Sequence, residues 1–545
     1  MNNQLHSPSQ YDETTPVLVV GGSLVGLCMS LFLSRQGIDS LLVERHPGTA
    51  IHPRVAGLTA RTMEIFRAVG AESAIRQVEP VFSLDSKVPL VESLVGQEFD
   101  NLMEDFSAFF SPASPVQGSL IAQDVLETVL YTLATQAGGE LRYDTELVGF
   151  EQDEEGITAT IRNRGSGTSC RVRTRFLIAA DGSRSGIRKQ LGIGQHGEGS
   201  LGHFISMVFE APGLMDLFHK RQAVMCFLAN ETVSGALVAY TGSEARPNLF
   251  RLDTGYDPEE EALADYPEAR CLPLIRAAIG IPDFPVQLKT VLSWEMVAHI
   301  SDCFQQGHVF LVGDAARAQP PAGALGGNTG IAEAQNLAWK LAAVLRGEAG
   351  ERLLDTYDAE RRPLADYTVE QVALLSQQRK NEGSEGITVD TLAINMGYRY
   401  SVGAIVSEDD KNLPLVQRPD LWMGQPGTRA AHVVLERQGK SHSTLDLFGS
   451  HFVLLVGPNG QNWLDAARRT IDVLHLPLDV YRIGGEAGDF IDAGSTFCDT
   501  YGITPTGAVI VRPDGFIGWR SQGVGENAQE LEQTLTEVLT TLLFR

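Results

Sequence analysis

Pro16-Val17-Leu18-Val19-Val20-Gly21-Gly22-Ser23-Leu24-Val25-Gly26 decides how this chain begins to fold. An uncharged, β-branched run that ends on glycine reads as a parallel strand buried on both faces. Leu24 to Gln36 follows as a helix stopped at Gly37, and Ser40-Leu41-Leu42-Val43 is a second strand with Glu44 at its tip. The unit is β-α-β. Gly21 permits the tight turn and Gly26 lets the helix pack closely on the strand. The helix start offers N–H groups to a pyrophosphate, and Glu44 is placed to accept from a ribose hydroxyl. Ser23 stands where the middle glycine of the G-x-G-x-x-G pattern belongs; its small side chain admits a phosphate, though less closely.

Gly192-Ile193-Gly194-Gln195-His196-Gly197 fits that pattern formally, but it follows a helix-like stretch and no acid-tipped strand succeeds it, so it reads as a loop. Two other segments repeat the sense of the first. Arg175-Phe176-Leu177-Ile178-Ala179-Ala180 is a buried strand closing on Asp181-Gly182 and a short helix with Arg188. His308-Val309-Phe310-Leu311-Val312 closes on Gly313-Asp314, then Pro320-Pro321-Ala322-Gly323-Ala324-Leu325-Gly326-Gly327-Asn328-Thr329-Gly330, then a helix from Ile331 to Leu345. Alone, Asp181-Gly182 is a turn and Asp314 a helix cap. After buried strands, an Asp can bind a ribityl hydroxyl, and glycines opening a helix can turn N–H groups toward a ring carbonyl. The three segments together fit one flavin dinucleotide.

Composition sets the frame. A chain of 545 residues exceeds one core and predicts several domains. A net charge of −25 argues against nucleic acid and anionic membranes as partners. The six cysteines are scattered without C-x-x-C or metal-ligand spacing, which reads as a reduced cytoplasmic protein with no metal site. Val17 to Leu33 is apolar enough to suggest a membrane anchor, but Asp12 and Glu13 precede it and glycines interrupt it. A buried strand and helix account for it better.

On these motifs, over about residues 16–400, the chain resembles the group A flavoprotein aromatic hydroxylases, the para-hydroxybenzoate hydroxylase family. His52-Pro53-Arg54, Arg61-Thr62-Met63-Glu64, Gln123-Asp124 and Gly397-Tyr398-Arg399-Tyr400 are similar to the bacterial aromatic-polyketide hydroxylases of the aklavinone and angucycline type. The resemblance implies an α/β fold: a Rossmann-like FAD-binding domain (1–186 and 291–411), an inserted mixed-sheet substrate domain (187–290) and a thioredoxin-like C-terminal domain (412–545) without C-x-x-C. It implies that FAD is reduced by NADPH or NADH and reacts with dioxygen to a C4a-hydroperoxyflavin, which hydroxylates a small-molecule phenolic ring. It puts the ADP half of FAD on Gly21, Ser23, Leu24, Val25, Gly26 and Glu44, with Arg45 beside the adenosine. Arg54 and Gln123 fall at the diphosphate or ribityl region, Asp314 at the ribityl chain, and Pro321, Gly326, Gly327 and Asn328 along the ring, with Asp181 as support. Arg399 is the one candidate near the reacting groups; as a bare residue it equally pairs with a carboxylate.

Ile205, Met207 and Phe209 alternate as a strand does, and Met225 and Phe227 repeat the spacing; they are pocket or core, core being favoured. Beyond Asn412, His451–Val456 reads as a strand, Trp463–Leu474 and 527–543 as helices, and Pro513-Asp514-Gly515 as the turn of a hairpin. The expected protein is a monomer or homodimer. Other readings stand beside hydroxylation: a Baeyer–Villiger or oxidative decarboxylation catalyst, or a flavin-binding partner without turnover. Halogenation is disfavoured, since no W-x-W-x-I-P segment occurs.

Overall fold

In the computed structural model, the described residues are 11–51, 57–79, 87–101, 108–240, 248–378, 389–408, 413–523 and 527–545. Arg54 and its neighbours His52 and Pro53 lie outside them.

Three buried strands that are distant in sequence become neighbours. Glu13–Val20 pairs in parallel with Ser40–Val43 on one side and with Ser169–Ala179 on the other. Ser169–Ala179 in turn pairs in parallel with Val309–Leu311. Because all run the same way, Gly21, Glu44, Asp181 and Gly313 emerge at one edge of one sheet. Val17, Leu18, Val19, Leu177, Phe310 and Leu311 are fully buried, as strands covered on both faces must be. The covering helices are Leu24–Arg35, Gln123–Gln136 and Leu325–Leu345. The last of these starts six residues before the Ile331 expected from sequence, so Gly326-Gly327-Asn328 form its first turn instead of leading into it. Residue pattern hides this start: two glycines are poor helix formers, and Ala324 enters with φ +55°.

A second sheet has eight strands. Its long central strands are Gln195–Glu210 and Gln287–Ser301, and it takes strands from 89–101 and from Arg317–Ala318 as well. Gly192–Gly194 is a turn and Gln195–Gly197 opens the long strand, so the formal G-x-G-x-x-G is half loop, half sheet. Ile205, Met207 and Phe209 face the core under the helices Leu214–Arg221 and Glu268–Ile279, together with Cys226 and Leu228. Met225 and Phe227 therefore lie on the opposite face, where strand alternation puts them.

The C-terminal sheet has four strands: Leu478–Arg482, Phe452–Val456, Ala508–Val511 and Ile517–Ser521. The helices Gln461–Leu474 and Ala528–Leu542 pack on it, an arrangement of thioredoxin-like kind without the dithiol. It docks on the rest through buried ion pairs. Arg512, with no exposed side chain, meets both oxygens of Glu360 at 2.8 and 2.9 Å. Arg429 meets Glu64, its Nε at 2.8 Å from Oε2. Burial alone pushes the Glu360 carboxyl up, but Arg512 and Lys340 hold it down to about 2. Breaking such a pair by removing one member strands the other at a cost of about 3–5 kcal/mol.

Candidate functional site

At the sheet edge the first turn is tight for steric reasons. Gly21 has φ +111°, and a Cβ on Gly26 would run into the Gly21 carbonyl oxygen. The Gly22 N–H donates to Glu44 Oε2 at 2.7 Å, which fixes the acid at the tip of its strand. Glu44 Oε1 also accepts the His46 N–H at 2.8 Å. Arg45 is exposed, its carbonyl accepting from Arg164.

One residue of this corner was not visible in the sequence. Glu127, fully buried on the Gln123–Gln136 helix, accepts from Leu24 N (2.9 Å), Ser23 Oγ (2.6 Å), Gln123 Nε2 (2.6 Å) and Ala50 N (2.7 Å). The side chains of Ser23 and Gln123 are therefore engaged with Glu127 and with each other, at 3.0 Å. What they turn toward a diphosphate is backbone and helix start. A Glu four residues after Gln123 is the only sequence signal, and it looks like any helical surface acid.

The second corner joins the first through Val25. A Cβ on Gly313 (φ +59°) would sit 2.9 Å from Val25 Cγ2, and one on Gly330 2.7 Å from the same atom. The helix starting at Leu24 and the helix starting at Leu325 thus converge on the Gly313-Asp314 turn. Asp314 is exposed there. A buried ion pair beneath holds the turn: Glu333 Oε2 accepts the Gly313 N–H at 2.8 Å, and Glu333 Oε1 accepts Arg317 Nε at 2.9 Å, both side chains having no exposure. Arg317 Nη2 reaches on to the Gly326 carbonyl at 3.1 Å. Pro321, exposed, precedes the short turn Ala322–Ala324.

Asn328 does not present its side chain to the edge. Its Oδ1 accepts from Thr59 N (3.0 Å) and Thr62 Oγ1 (2.6 Å), and its Nδ2 donates to Gly57 O (3.0 Å) and Ala324 O (2.6 Å). All four of its hydrogen-bonding positions brace the helix start to the 57–62 segment. The first-turn N–H groups of that helix have no acceptor within it and remain as donors. Asp181 accepts the Ile187 N–H at 3.2 Å through Oδ2, while its buried Oδ1 has no protein donor. The Arg399 backbone is tied toward the C-terminal part, its N–H donating to Leu415 O at 2.9 Å and its backbone bridging to Thr428.

FAD fits this donor set. Two helix starts and an acid-tipped strand converge within one edge, with backbone N–H groups for the diphosphate and the ring carbonyls. Among the described residues no group of His, Cys, Asp and Glu suited to a metal occurs, and no helix is long and apolar enough to cross a membrane.

The second sheet carries a continuous row of side chains on the face away from its core. Phe227, Ala236, Asp253, Ser206 and Leu292 stand in register across five neighbouring strands. Phe204 and Trp294 stack at 4.7 Å beside them. Trp294 Nε1 donates to Ser206 Oγ at 2.9 Å, Ser206 donates to Asp253, and Arg251 meets Asp253 Oδ2 at 2.9 Å with its guanidinium over Tyr240. Burial pushes the Asp253 carboxyl above the usual range even with Arg251 beside it. The edge strand Arg317–Ala318 of this sheet begins three residues after Asp314, which ties the row to the flavin turn.

Comparison with known proteins agrees with this architecture. The model of the FAD binding domain family matches residues 14–372, and that of the aromatic-ring hydroxylase C-terminal domain matches 423–541. The chain is 39% identical to a 4-methyl-5-nitrocatechol 5-monooxygenase of Burkholderia sp, covering 100% of both chains. It is 38% identical to the tetracenomycin A2 monooxygenase-dioxygenase of Streptomyces glaucescens, covering 97% of each. The crystal structure of aklavinone-11 hydroxylase with FAD and aklavinone superposes with a TM-score of 0.90 at 35% identity, over 98% of this chain and 100% of the other. The chain belongs to the FAD-dependent aromatic-ring hydroxylases.

Proposed function

We propose that this hydroxylase acts on an electron-rich phenolic ring within a polycyclic, polyketide-type substrate. In the net reaction a ring C–H becomes C–OH with one atom of dioxygen, the other leaves as water, and NADPH or NADH supplies two electrons. FAD, when bound, supplies the activation of dioxygen, which no side chain can perform. The protein holds that group through Gly21, the backbone of Ser23 to Gly26, Glu44 with Arg45 beside it, and the neighbourhood of Gln123 and Asp181. On the ring side Asp314, Pro321, Gly326, Gly327 and the backbone of Asn328 would do the same, Arg54 completing the set. The nicotinamide nucleotide visits transiently, and the enzyme works as a monomer or homodimer.

The observation that carries the substrate reading is the width of the sheet face that bears this row, its polar centre at Ser206 and Asp253 shielded from water. Five strands at about 4.8 Å spacing make it about 19 Å across, several times what a single ring needs. The Phe204–Trp294 stack offers an aromatic wall. The Ser206–Asp253–Arg251 group offers fixed polar partners to phenol and carbonyl oxygens, excluding water and orienting the ring. Asp253, held by Arg251 and Ser206, offers a fixed acceptor to a phenolic hydroxyl.

Holoenzyme supplied with NADPH and a panel of anthraquinone-, angucycline- and tetracycline-type phenols, with a nitrocatechol alongside, tests this. Mass spectrometry should find products with one added oxygen atom among the polycyclic phenols. Turnover of the nitrocatechol alone would refute the substrate class, and loss of carbon dioxide in place of oxygen gain would refute the chemistry.

A further inference from the structure

Behind the start of the Leu325–Leu345 helix, on the side away from Val25, lies a small cavity of about 20 Å³. Arg61, Arg361, Tyr398, Thr62, Thr329 and Asn395 are among its lining residues. Arg61 is 6% exposed, Arg361 2% and Tyr398 7%. Each has a buried donor with no protein acceptor: Arg61 Nε, Arg361 Nε and the Tyr398 hydroxyl. Buried donors of this kind are rare and call for a partner.

The charges around the cavity do not balance. Glu333 is matched by Arg317. Glu360 and Asp514 are matched by Lys340 and Arg512. Glu64, however, is shared by Arg61 and Arg429. Among the described residues Arg361 pairs with no carboxylate: its Nη1 donates to Tyr400 Oη at 3.2 Å and its Nη2 to the Thr329 carbonyl at 3.4 Å. Around the cavity, positive charge thus exceeds the paired carboxylates by two, Arg61 or Arg429 at Glu64 and Arg361. A buried cation without a counter-charge is among the costliest features a fold can contain.

We propose that this cavity is a binding site for a small monatomic anion, chloride being the natural occupant, held by Arg61, Arg361 and the Tyr398 hydroxyl. Its volume exceeds the about 10–15 Å³ needed by one water-sized sphere. An anion there satisfies three orphaned donors and one of the two excess charges. It also ties together three parts of the chain: the Ala60–Ala68 helix, the Thr356–Gln378 helix and the 398–400 segment.

Crystals of the holoenzyme soaked in sodium bromide test the site without any variant. The expected result is an anomalous bromine peak between Arg61, Arg361 and Tyr398. In solution, bromide or chloride should raise the melting temperature of the holoenzyme saturably over gluconate at equal ionic strength. Tyr398→Phe, which removes one donor to a charged acceptor, should raise the half-saturating bromide concentration about tenfold; Arg361→Met should abolish the halide effect. Bromine peaks on the surface only, an adventitious ion only, or a water in the cavity with halide and gluconate acting alike, would overturn the proposal.

Discussion

Replacing Glu333 is the sharpest probe of how the ring side of the flavin site is held. Its two oxygens serve two masters, the Gly313 N–H at 2.8 Å and Arg317 Nε at 2.9 Å, with both side chains wholly buried. Glu333→Ala strands the Arg317 charge, which costs about 3–5 kcal/mol. It also leaves the Gly313 N–H without an acceptor, at about 1–3 kcal/mol. The sum, about 4–8 kcal/mol, is comparable to the whole stability of a domain. The Gly313-Asp314 turn loses its brace, so FAD binding should weaken by about 10–100-fold if 1.4–2.8 kcal/mol of the loss, by the order of these estimates, falls on the turn. Arg317→Met strands the opposite charge and is expected to cost about 3–5 kcal/mol. The double variant, Arg317→Met with Glu333→Ala, removes both charges together and orphans the Gly313 N–H and the Gly326 carbonyl, so it should cost about 2–6 kcal/mol, less than the two single costs added. Urea unfolding of the apoprotein, followed by tryptophan fluorescence, and FAD titration by flavin quenching measure both effects. Additive costs, within about 0.5 kcal/mol, would refute the coupling, and wild-type FAD affinity in Glu333→Ala would refute the placement of the turn.

Three further expectations follow from the geometry. Gly26→Val drives a side chain into the Gly21 carbonyl, so the protein should purify with little flavin, whereas Gly186→Ala, in open space, should keep its full absorbance at 450 nm by order of the ordinary flavin band. His196 bridges Asp302 and Asp366 at 2.8 and 2.9 Å, and these bonds raise its pKa above the ordinary value. The clamp is at full strength below about pH 6.5 and fades as pH rises through the raised pKa; because the ring is half exposed, its worth is at most about 1 kcal/mol. The unfolding free-energy gap between wild type and His196→Gln should therefore shrink from pH 6 to pH 9 by at most about 1 kcal/mol, and a gap that widens would contradict the sign. Asp253→Asn should leave flavin content unchanged but weaken substrate binding by about tenfold through loss of one charged hydrogen-bond partner, read by substrate-induced change in the flavin spectrum; unaltered binding would remove Asp253 from the substrate face.

The strands and turns of the flavin edge were legible because they are local and extreme in composition. Val17 to Val20 and Leu41 to Val43 have no other way to be buried, and their glycines have steric duties that a pattern can name. Adjacency was inferred only through the shared ligand, and parallel pairing of Glu13–Val20 with Ser169–Ala179 supplies the direct reason. The braces were not legible. Glu127, Glu333 and Arg317 act through partners 16 to 103 residues away, and each sits in a helix or turn where a charged residue commonly faces water. Nor did the sequence show that the polar groups of Ser23, Gln123 and Asn328 bond within the protein. Arg61 is buried against Glu64 and the Asp514 carbonyl, a burial its local sequence does not signal because the contact comes from the C-terminal part of the chain. In the second sheet, period-two alternation separated core from opposite face, but which face Met225 and Phe227 took needed the register with Val238 and Ala236.

A crystal structure of the FAD complex tests the central claim most directly. The account predicts the adenosine ribose on Glu44, the diphosphate at the start of the Leu24–Arg35 helix, and the pyrimidine edge of the ring at the first-turn N–H groups of the Leu325–Leu345 helix. A flavin bound with its ring away from Gly326 and Gly327, or a diphosphate away from Gly21 to Gly26, would contradict it.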